Sequence, residues 1–281
     1  MKLNYKVETA CLLKTFLAQK KISKKSLSAI KQNGALLVNG EHRTVRAELK
    51  RGDKVTVVLP AETPSASLEP SAGRVDILYE DEALCIVNKP AGISTMPSQL
   101  HPHDSLLERV LYYFNEQGTS GIPHIVTRLD RETSGIVIFG KHQLVHHWMT
   151  AAIDKLYLCA VQGNLAERGV IDLPIRRKAD SIIERETASD GKPAMTSYIR
   201  LLSGQHTVAL VKLHTGRTHQ IRVHFKTIGH PLLGDTLYGQ DQTLNRQALH
   251  AYQVRFHHPV TAEEITVQAP LPSDLNGMIP I

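Results

Sequence analysis

The chain has 281 residues, of which 42% are hydrophobic and 21% charged, a composition typical of a globular protein with about two domains. No apolar run approaches the roughly 18 residues that a membrane-spanning helix needs, and the N-terminus lacks the apolar core of a signal peptide. Three scattered cysteines in apolar surroundings, Cys11, Cys85 and Cys159, indicate reduced structural thiols. We therefore expect a cytoplasmic protein that neither spans a membrane nor depends on disulfide bonds.

Charge is distributed unevenly along the chain. Residues 1–60 contain 13 Lys and Arg residues against four acids, whereas the rest of the chain contains 20 basic and 23 acidic residues. A basic segment joined to a near-neutral body is typical of a module that binds a polyanion, most often nucleic acid. The alternative is a basic surface that faces solvent and has no partner.

The first 60 residues predict helices followed by a β-hairpin. Asn33-Gly34 should end the second helix because both residues tolerate a left-handed backbone, and Asn39-Gly40 is a strong signal for a two-residue hairpin turn. From the spacing of apolar residues, we expect helices at residues 11–20 and 26–32 and strands at 35–38 and 55–59.

This arrangement resembles the S-four-type RNA-binding domain. The match is carried by Leu36-Leu37-Val38-Asn39-Gly40 and by Arg51-Gly52-Asp53-Lys54-Val55. The arginine-leucine-aspartate cluster with which that family commonly opens has no counterpart in residues 7–13. The resemblance implies that residues 1–60 form a small basic RNA-binding domain of αββ type.

Residues 61–73 are rich in Pro, Ser and Ala and predict a linker, so that residues 74–281 form a second domain. Short strands joined by turns, with few helices, favour an α+β fold on a largely antiparallel mixed sheet. The expected strands lie at 77–79, 84–87, 125–126, 136–139, 156–161, 182–186, 196–202, 206–213, 248–256 and 264–267, and the expected helices at 105–114, 143–153 and 218–227.

The stretch Arg128-Leu129-Asp130-Arg131-Glu132-Thr133-Ser134-Gly135 predicts a polar loop between two strands. Loops that rigid strands hold in place are where binding and catalytic groups concentrate. The alternative is a charged hairpin turn in which Asp130 pairs with an arginine.

A second polar stretch runs from Thr215 to His224 and opens a predicted helix. A helix N-terminus crowded with Arg and His is suited to binding an anion. Arg222 would lie beside the buried stripe of this helix and would need an acidic partner, for which Asp130 is a candidate.

The sequence offers no pattern for a metal or a nucleotide cofactor. Its 15 histidines include neither a His-Glu-x-x-His nor a Cys-x-x-Cys spacing, and His219 and His224 are five residues apart, on different sides of a helix. There is no Gly-rich phosphate loop and no Gly-x-Ser-x-Gly elbow. We expect catalysis, if any, without metal or cofactor.

Five collinear motifs between about residues 74 and 270 resemble those of the RluA-type RNA pseudouridine synthases. They are residues 128–135, Lys155-Leu156-Tyr157 with Ala160 and Gly163, residues 215–224, His230–Asp235 with Tyr238, and Leu249-His250-Ala251 continued by His257–Thr261. Lys89-Pro90 with Gly92 fits the entry motif of that family. Thr127 stands where the family usually has histidine, so a contact to the loop or to the target nucleotide is expected to differ.

The resemblance implies an isomerase that converts uridine to pseudouridine in structured RNA without metal or cofactor. By the match, Asp130 is the catalytic carboxylate, Tyr157 is the tyrosine that stacks on the target base, and Arg222 is the arginine that keeps Asp130 ionised. The implied substrate-binding residues are Arg128, which would fill the space that the flipped base leaves, Ile221, Arg217, Lys89 and Thr127.

The substrate class is narrowed only by analogy. S-four-type domains are more common among synthases that act on large-subunit ribosomal RNA than among those that act on transfer RNA, so ribosomal RNA is the favoured partner. We expect a monomer. The alternatives are a non-catalytic RNA-binding or ribosome-assembly factor on the same fold and a metal-dependent hydrolase that uses the histidines.

Overall fold

The computed structural model describes residues 1–119, 121–149 and 153–279. The N-terminal part forms a four-stranded antiparallel sheet in the order β1-β6-β3-β4, with the short pair β2-β5 beside it. Its elements are β1 (Lys2–Lys6), β2 (Cys11–Leu12), α1 (Leu13–Gln19), α2 (Lys24–Asn33), β3 (Ala35–Val38), β4 (Glu41–His42), β5 (Glu48–Leu49) and β6 (Lys54–Val58).

The end of α2 differs from the prediction. Gly34 has an extended backbone with φ −130° and ψ −153°, not a left-handed one. A Cβ atom at this position would collide with the carbonyl oxygen of Val58 on β6. Glycine is therefore needed here because the chain passes close to a neighbouring strand.

Residues 60–76 contain no helix or strand. The segment is nevertheless attached to the body of the protein, because the Glu62 carboxylate lies 2.9 Å from His124 Nε2. The N-terminal core also includes Leu144, and Trp148 Nε1 donates a hydrogen bond to the Lys21 carbonyl. The domain boundaries at residues 60 and 74 stay a prediction.

The larger sheet confirms the predicted α+β class. Its ten strands follow the order β12-β15-β16-β11-β17-β10-β8-β7, with β18 paired to β17 and β9 to β10. The elements are β7 (Ile77–Glu80), β8 (Leu84–Lys89), α3 (Leu106–Glu116), β9 (His124–Ile125), β10 (Ser134–Gly140), α4 (Gln143–Met149), β11 (Asp154–Gln162), β12 (Arg168–Asp172), β13 (Ile175–Arg177), β14 (Arg185–Thr187), β15 (Met195–Ser203), β16 (His206–Leu213), α5 (Gln220–Thr227), β17 (Leu249–His257), β18 (Glu264–Gln268) and α6 (Ser273–Asn276).

The predicted elements overlap elements of this list but differ at their ends. The strand expected at 182–186 begins only at Arg185, and residues 11–12 of the first expected helix belong to β2. The helix expected at 143–153 runs from Gln143 to Met149, and residues 150–152 of that prediction lie outside the described residues. The helix expected from Thr218 begins two residues later. Within the described residues, no helix has the length and apolar content of a membrane span.

One parallel pairing interrupts the antiparallel sheet at the start of β10, directly after the polar loop. The start of β10 pairs with β17 through Ser134↔His250 and Gly135↔Ala251. Gly135 has φ +110°, and a Cβ atom there would collide with the backbone of Ala251. Only glycine fits this junction, which holds the polar loop before β10 against the centre of the sheet.

Candidate active site

A cavity of about 400 Å³ opens where the polar loop before β10, the start of β11 and the segment leading into α5 meet. Seven of the eight residues predicted from the sequence for the site line it. They are Thr127, Arg128, Asp130, Tyr157, Arg217, Ile221 and Arg222. The two polar stretches, which lie about 90 residues apart in the sequence, therefore face one another.

The backbone around Asp130 is held on both sides. Thr95 Oγ1 donates to the Leu129 carbonyl at 2.8 Å and accepts from the Leu129 N–H at 3.1 Å. Gln247 Nε2 donates to Thr133 Oγ1 at 3.1 Å. The Asp130 side chain, about a quarter exposed, projects from this fixed loop and lines the cavity.

Lys89 does not line the cavity, and its expected role as a direct substrate contact is wrong. Its side chain is fully buried, and Nζ donates to three backbone carbonyls, those of Pro90, Ile93 and Arg131, at 2.8–2.9 Å. Burial lowers the pKa of Lys89 to about 7, whereas nearby Asp130 favours the charged form. An ammonium group has three N–H donors, which match the three acceptors. Lys89 therefore links the Asp130 loop to the segment that follows β8.

Arg222 has a closer partner than the one predicted. Its Nε and Nη2 donate to the two carboxylate oxygens of Asp235 at 2.7 and 2.8 Å, whereas its Nη1 lies 3.5 Å from Asp130 Oδ2. The Asp235 side chain is completely buried. Asp130, the candidate partner from the sequence, does pair with Arg222, but Asp235 lies closer to it. Asp235 neutralises and orients the guanidinium group, which then presents its remaining edge to Asp130.

Tyr157 and Ile221 supply the apolar wall of the cavity. Both belong to one buried cluster, with 7% and 4% of their surfaces exposed. Burial, and next to it the Asp130 carboxylate, raise the pKa of the Tyr157 hydroxyl above its ordinary value. The hydroxyl is therefore protonated at neutral pH and can donate a hydrogen bond but not accept a proton.

The remaining predicted residues differ in exposure and in the hydrogen bonds that hold their side chains. Arg128 and Arg217 are exposed, and Arg217 Nε donates to the Pro193 carbonyl at 3.0 Å. Thr127 is nearly buried, and its hydroxyl accepts the Ile138 N–H at 3.0 Å. Thr127 thus completes the backbone hydrogen bonding beside β10, while the two arginines lie at the mouth of the cavity.

Two residues of the cavity region were quoted in the sequence motifs without a role. Asp235 proves to be the buried partner of Arg222, and His219 lies with Nε2 3.9 Å from Asp130 Oδ2. His219 precedes α5 in a left-handed conformation with φ +57°. Non-glycine residues in that conformation are uncommon and concentrate at functional sites. The sequence spacing carries no signal for either contact.

Within the described residues, no group of three or more His, Cys, Asp or Glu side chains is arranged to hold a metal ion. The Asp130 carboxylate of the cavity is instead within ion-pair distance of Arg222 and His219.

Comparison with known proteins gives one family. The model of a family described as RNA pseudouridylate synthase matches residues 83–227. A Bacillus subtilis protein named uncharacterized RNA pseudouridine synthase YjbO is 41% identical over 95% of this chain and 98% of its own length. Ribosomal large subunit pseudouridine synthase D of Xanthomonas campestris is 32% identical over 92% of this chain and 84% of its own.

Among solved structures, human RNA pseudouridylate synthase domain containing 1 has the same fold. The TM-score is 0.58 at 24% identity, and the match covers 75% of this chain and 87% of the human one.

Proposed function

Because this chain belongs to the RNA pseudouridine synthase family, and is therefore an isomerase of uridine in RNA, we propose that Asp130 is its catalytic carboxylate. One observation carries the proposal. Among the described residues that line the cavity, Asp130 is the single acid, and its carboxylate lies 3.5 Å from the Arg222 guanidinium group in the cavity that Tyr157 also lines. A carboxylate held in a confined cavity is suited to act on a nucleoside.

The reaction needs one carboxylate where glycoside hydrolysis needs two. A hydrolase uses a second acid to protonate the leaving group. In the isomerisation the uracil is detached from the ribose, turns within the pocket and is rejoined through carbon, so that it never has to leave. We assign to Asp130 the attack or proton abstraction that starts this sequence, and both routes require it to be ionised. Arg222, held by Asp235, presents its Nη1 to the Asp130 carboxylate at 3.5 Å.

Tyr157 and Ile221 are proposed to hold the target base. Flipping a nucleotide out of folded RNA costs a few kcal/mol, and stacking on an aromatic ring recovers about 1–3 kcal/mol. Because burial and Asp130 raise the pKa of Tyr157, its hydroxyl stays protonated and can help to hold the base by donating a hydrogen bond. Arg128, which is exposed and whose Nη1 makes a long contact of 3.9 Å to Met96 Sδ, is proposed to occupy the space that the base leaves in the RNA.

The proposed substrate is structured RNA, with large-subunit ribosomal RNA as the specific class. Two observations support it: the relative named for the ribosomal large subunit is similar over nearly the whole chain, and residues 1–60 are strongly basic. We propose that this N-terminal part is an S-four-like RNA-binding domain, and that the protein works in the cytoplasm as a monomer. Transfer RNA is the competing class, and the substrate test below separates the two.

The test compares purified wild type with Asp130→Asn on unmodified transcripts of ribosomal and transfer RNA. We expect the variant to form no pseudouridine while binding RNA with an affinity within about twofold of wild type. Glu132→Gln is the matched control, since this acid lies two residues away, pairs with Arg131 and does not itself line the cavity. Product from Asp130→Asn at the wild-type rate would contradict the proposal, and modification of transfer RNA alone would contradict the ribosomal assignment.

A further inference from the structure

His219 has a specific hydrogen-bonding environment that the reaction scheme above does not use. Its Nδ1 lies 2.8 Å from the Tyr238 hydroxyl oxygen, and its Nε2 lies 3.9 Å from Asp130 Oδ2. The imidazole lines the cavity, with 12% of its side chain exposed. It therefore connects a buried tyrosine on one side with the proposed catalytic carboxylate on the other.

The direction of the hydrogen bonds around Tyr238 determines where His219 carries its proton. The Tyr238 oxygen accepts the backbone N–H of Arg185 at 2.8 Å. Its single hydrogen is then free for His219 Nδ1, which must act as an acceptor. If Nδ1 carried the proton instead, the Tyr238 hydrogen would have no acceptor in its recorded contacts within the described residues. In a neutral ring with Nδ1 as acceptor, the proton is on Nε2, the nitrogen nearest Asp130.

The groups around His219 keep the ring neutral. Burial lowers the pKa of His219, and Arg222 and Arg185 act in the same direction, while Asp130 and Asp235 oppose them. Tyr238 adds a hydroxyl and no charge, because burial raises its pKa to about 12. At pH 7 the ring is thus an uncharged N–H donor.

We propose that His219 is a positioning residue for Asp130, held by the Tyr238 hydroxyl in the tautomer whose Nε2–H faces the carboxylate. The inference rests on the proposed role of Asp130. Both His219 Nε2 and Arg222 Nη1 approach the same oxygen, Oδ2. Oδ2 is accordingly the oxygen that is held, and Oδ1 is the oxygen that faces the nucleotide and reacts.

The separation of 3.9 Å is about 1 Å longer than an N–H···O hydrogen bond. Such contacts are often long in a free enzyme and tighten when substrate binds. A small rotation of the Asp130 side chain, as the nucleotide fills the cavity, brings Oδ2 within range. The rotation thereby fixes the carboxylate in one orientation.

Hydrogen-bonding variants at two positions provide the test. His219→Gln keeps a neutral N–H donor at nearly the distance of Nε2, whereas His219→Leu has similar size and no donor. Both replacements are unbranched at Cβ, so the left-handed backbone at residue 219 should strain them to a similar extent. Tyr238→Phe removes the hydroxyl and keeps the ring, whose centre lies 5.0 Å from the Arg222 guanidinium carbon.

Single-turnover rates on saturating RNA are measured alongside RNA affinity. We expect His219→Leu to slow the reaction on the order of 100-fold, with affinity changed by less than about twofold, and His219→Gln to restore most of the rate. Tyr238→Phe should slow the wild type and have no further effect in the His219→Gln background, because no tautomer is left to select. A His219→Leu enzyme with the wild-type rate would overturn the inference.

Nitrogen-15 spectra of the imidazole groups test the tautomer in wild-type protein without any activity assay, with His219→Gln identifying the signal. We expect a protonated Nε2 and an unprotonated Nδ1 at pH 7, and the reverse pattern would overturn the inference. Failure of the two proposals is distinguishable. An active Asp130→Asn contradicts the proposed function, whereas an inactive Asp130→Asn beside a fully active His219→Leu contradicts only the role of His219.

Discussion

The N-terminal module and the catalytic cavity use charge in opposite ways. In the module, Lys24, Lys25 and Lys31 on α2 are exposed and have no ion pair in the recorded contacts of the described residues. In the cavity, the Arg222 and Asp235 side chains are 8% and 0% exposed and bond to one another at 2.7 Å. Both regions serve the same RNA substrate in our proposal.

This difference decides how each region responds to change. Exposed charges act on a polyanion at long range, nearly additively and with strong screening by salt. Buried charges cost free energy to desolvate, and they are tolerated only when the partners are complete, so that losing one partner leaves the other unpaired. We therefore expect large local effects in the cavity and small, graded effects in the module.

The largest effect on stability is expected from the buried pair. Asp235→Asn takes the counter-charge from Arg222 and should lower the free energy of unfolding by about 3–5 kcal/mol. Asp190→Asn is the matched control, because Asp190 pairs with Arg176 on the surface, where both side chains are at least 45% exposed. Its cost should be much smaller, because an exposed ion pair gains little over its separately hydrated charges. Equal losses in urea unfolding would abolish the distinction between the two regions.

The next effect depends on pH. His250, fully buried on β17, accepts or donates a hydrogen bond at Ser134 Oγ, and burial lowers its pKa to about 4. The unfolded chain binds this proton near pH 6.5 and the folded chain near pH 4, so the stabilisation is present above pH 6.5 and is lost as the pH falls toward 4. The loss amounts to about 3 kcal/mol.

Urea unfolding between pH 7 and pH 4 checks this window. His250→Gln should remove that part of the pH dependence, whereas His42→Gln, at an exposed position in the N-terminal sheet, should leave the wild-type curve unchanged. A wild-type slope in His250→Gln would mean that other groups cause the acid sensitivity.

The smallest effect is expected in the module and concerns RNA affinity. Replacing Lys24, Lys25 and Lys31 with Gln should reduce the slope of log affinity against log salt by about 2–3, if each lysine contacts one phosphate. The single-turnover rate at saturating RNA should be unchanged, because the cavity is untouched. A slope equal to that of wild type would show that α2 does not face the RNA.

How far the sequence predicted the molecule depends on the range of the interaction involved. Local patterns gave most elements of the large sheet and the polar loop around Asp130. The strand β1 was missed although Leu3 and Tyr5 alternate with exposed residues in the manner of a half-buried strand. That signal was present and could have been used.

The missed contacts of the site are of another kind. A plausible fold could bring either Asp130 or Asp235 to Arg222. Only the three-dimensional arrangement shows that Asp235 is the nearer of the two. The position of Lys89 likewise follows from the pairing of β8 with β10, which brings Lys89 opposite Gly135 and within hydrogen-bond distance of the Arg131 carbonyl, and no local pattern encodes this pairing. The motif resemblance therefore pointed to these residues but not to the partner of each one.

The central claim, that this isomerase uses Asp130 on ribosomal RNA, is tested most directly by pseudouridine mapping at single-nucleotide resolution. Total RNA would be compared from cells that lack the gene and from the same cells carrying wild type or Asp130→Asn. We predict sites in large-subunit ribosomal RNA that disappear in the deletion and return with wild type only. Restoration by Asp130→Asn would contradict the catalytic assignment, and lost sites confined to transfer RNA would contradict the substrate.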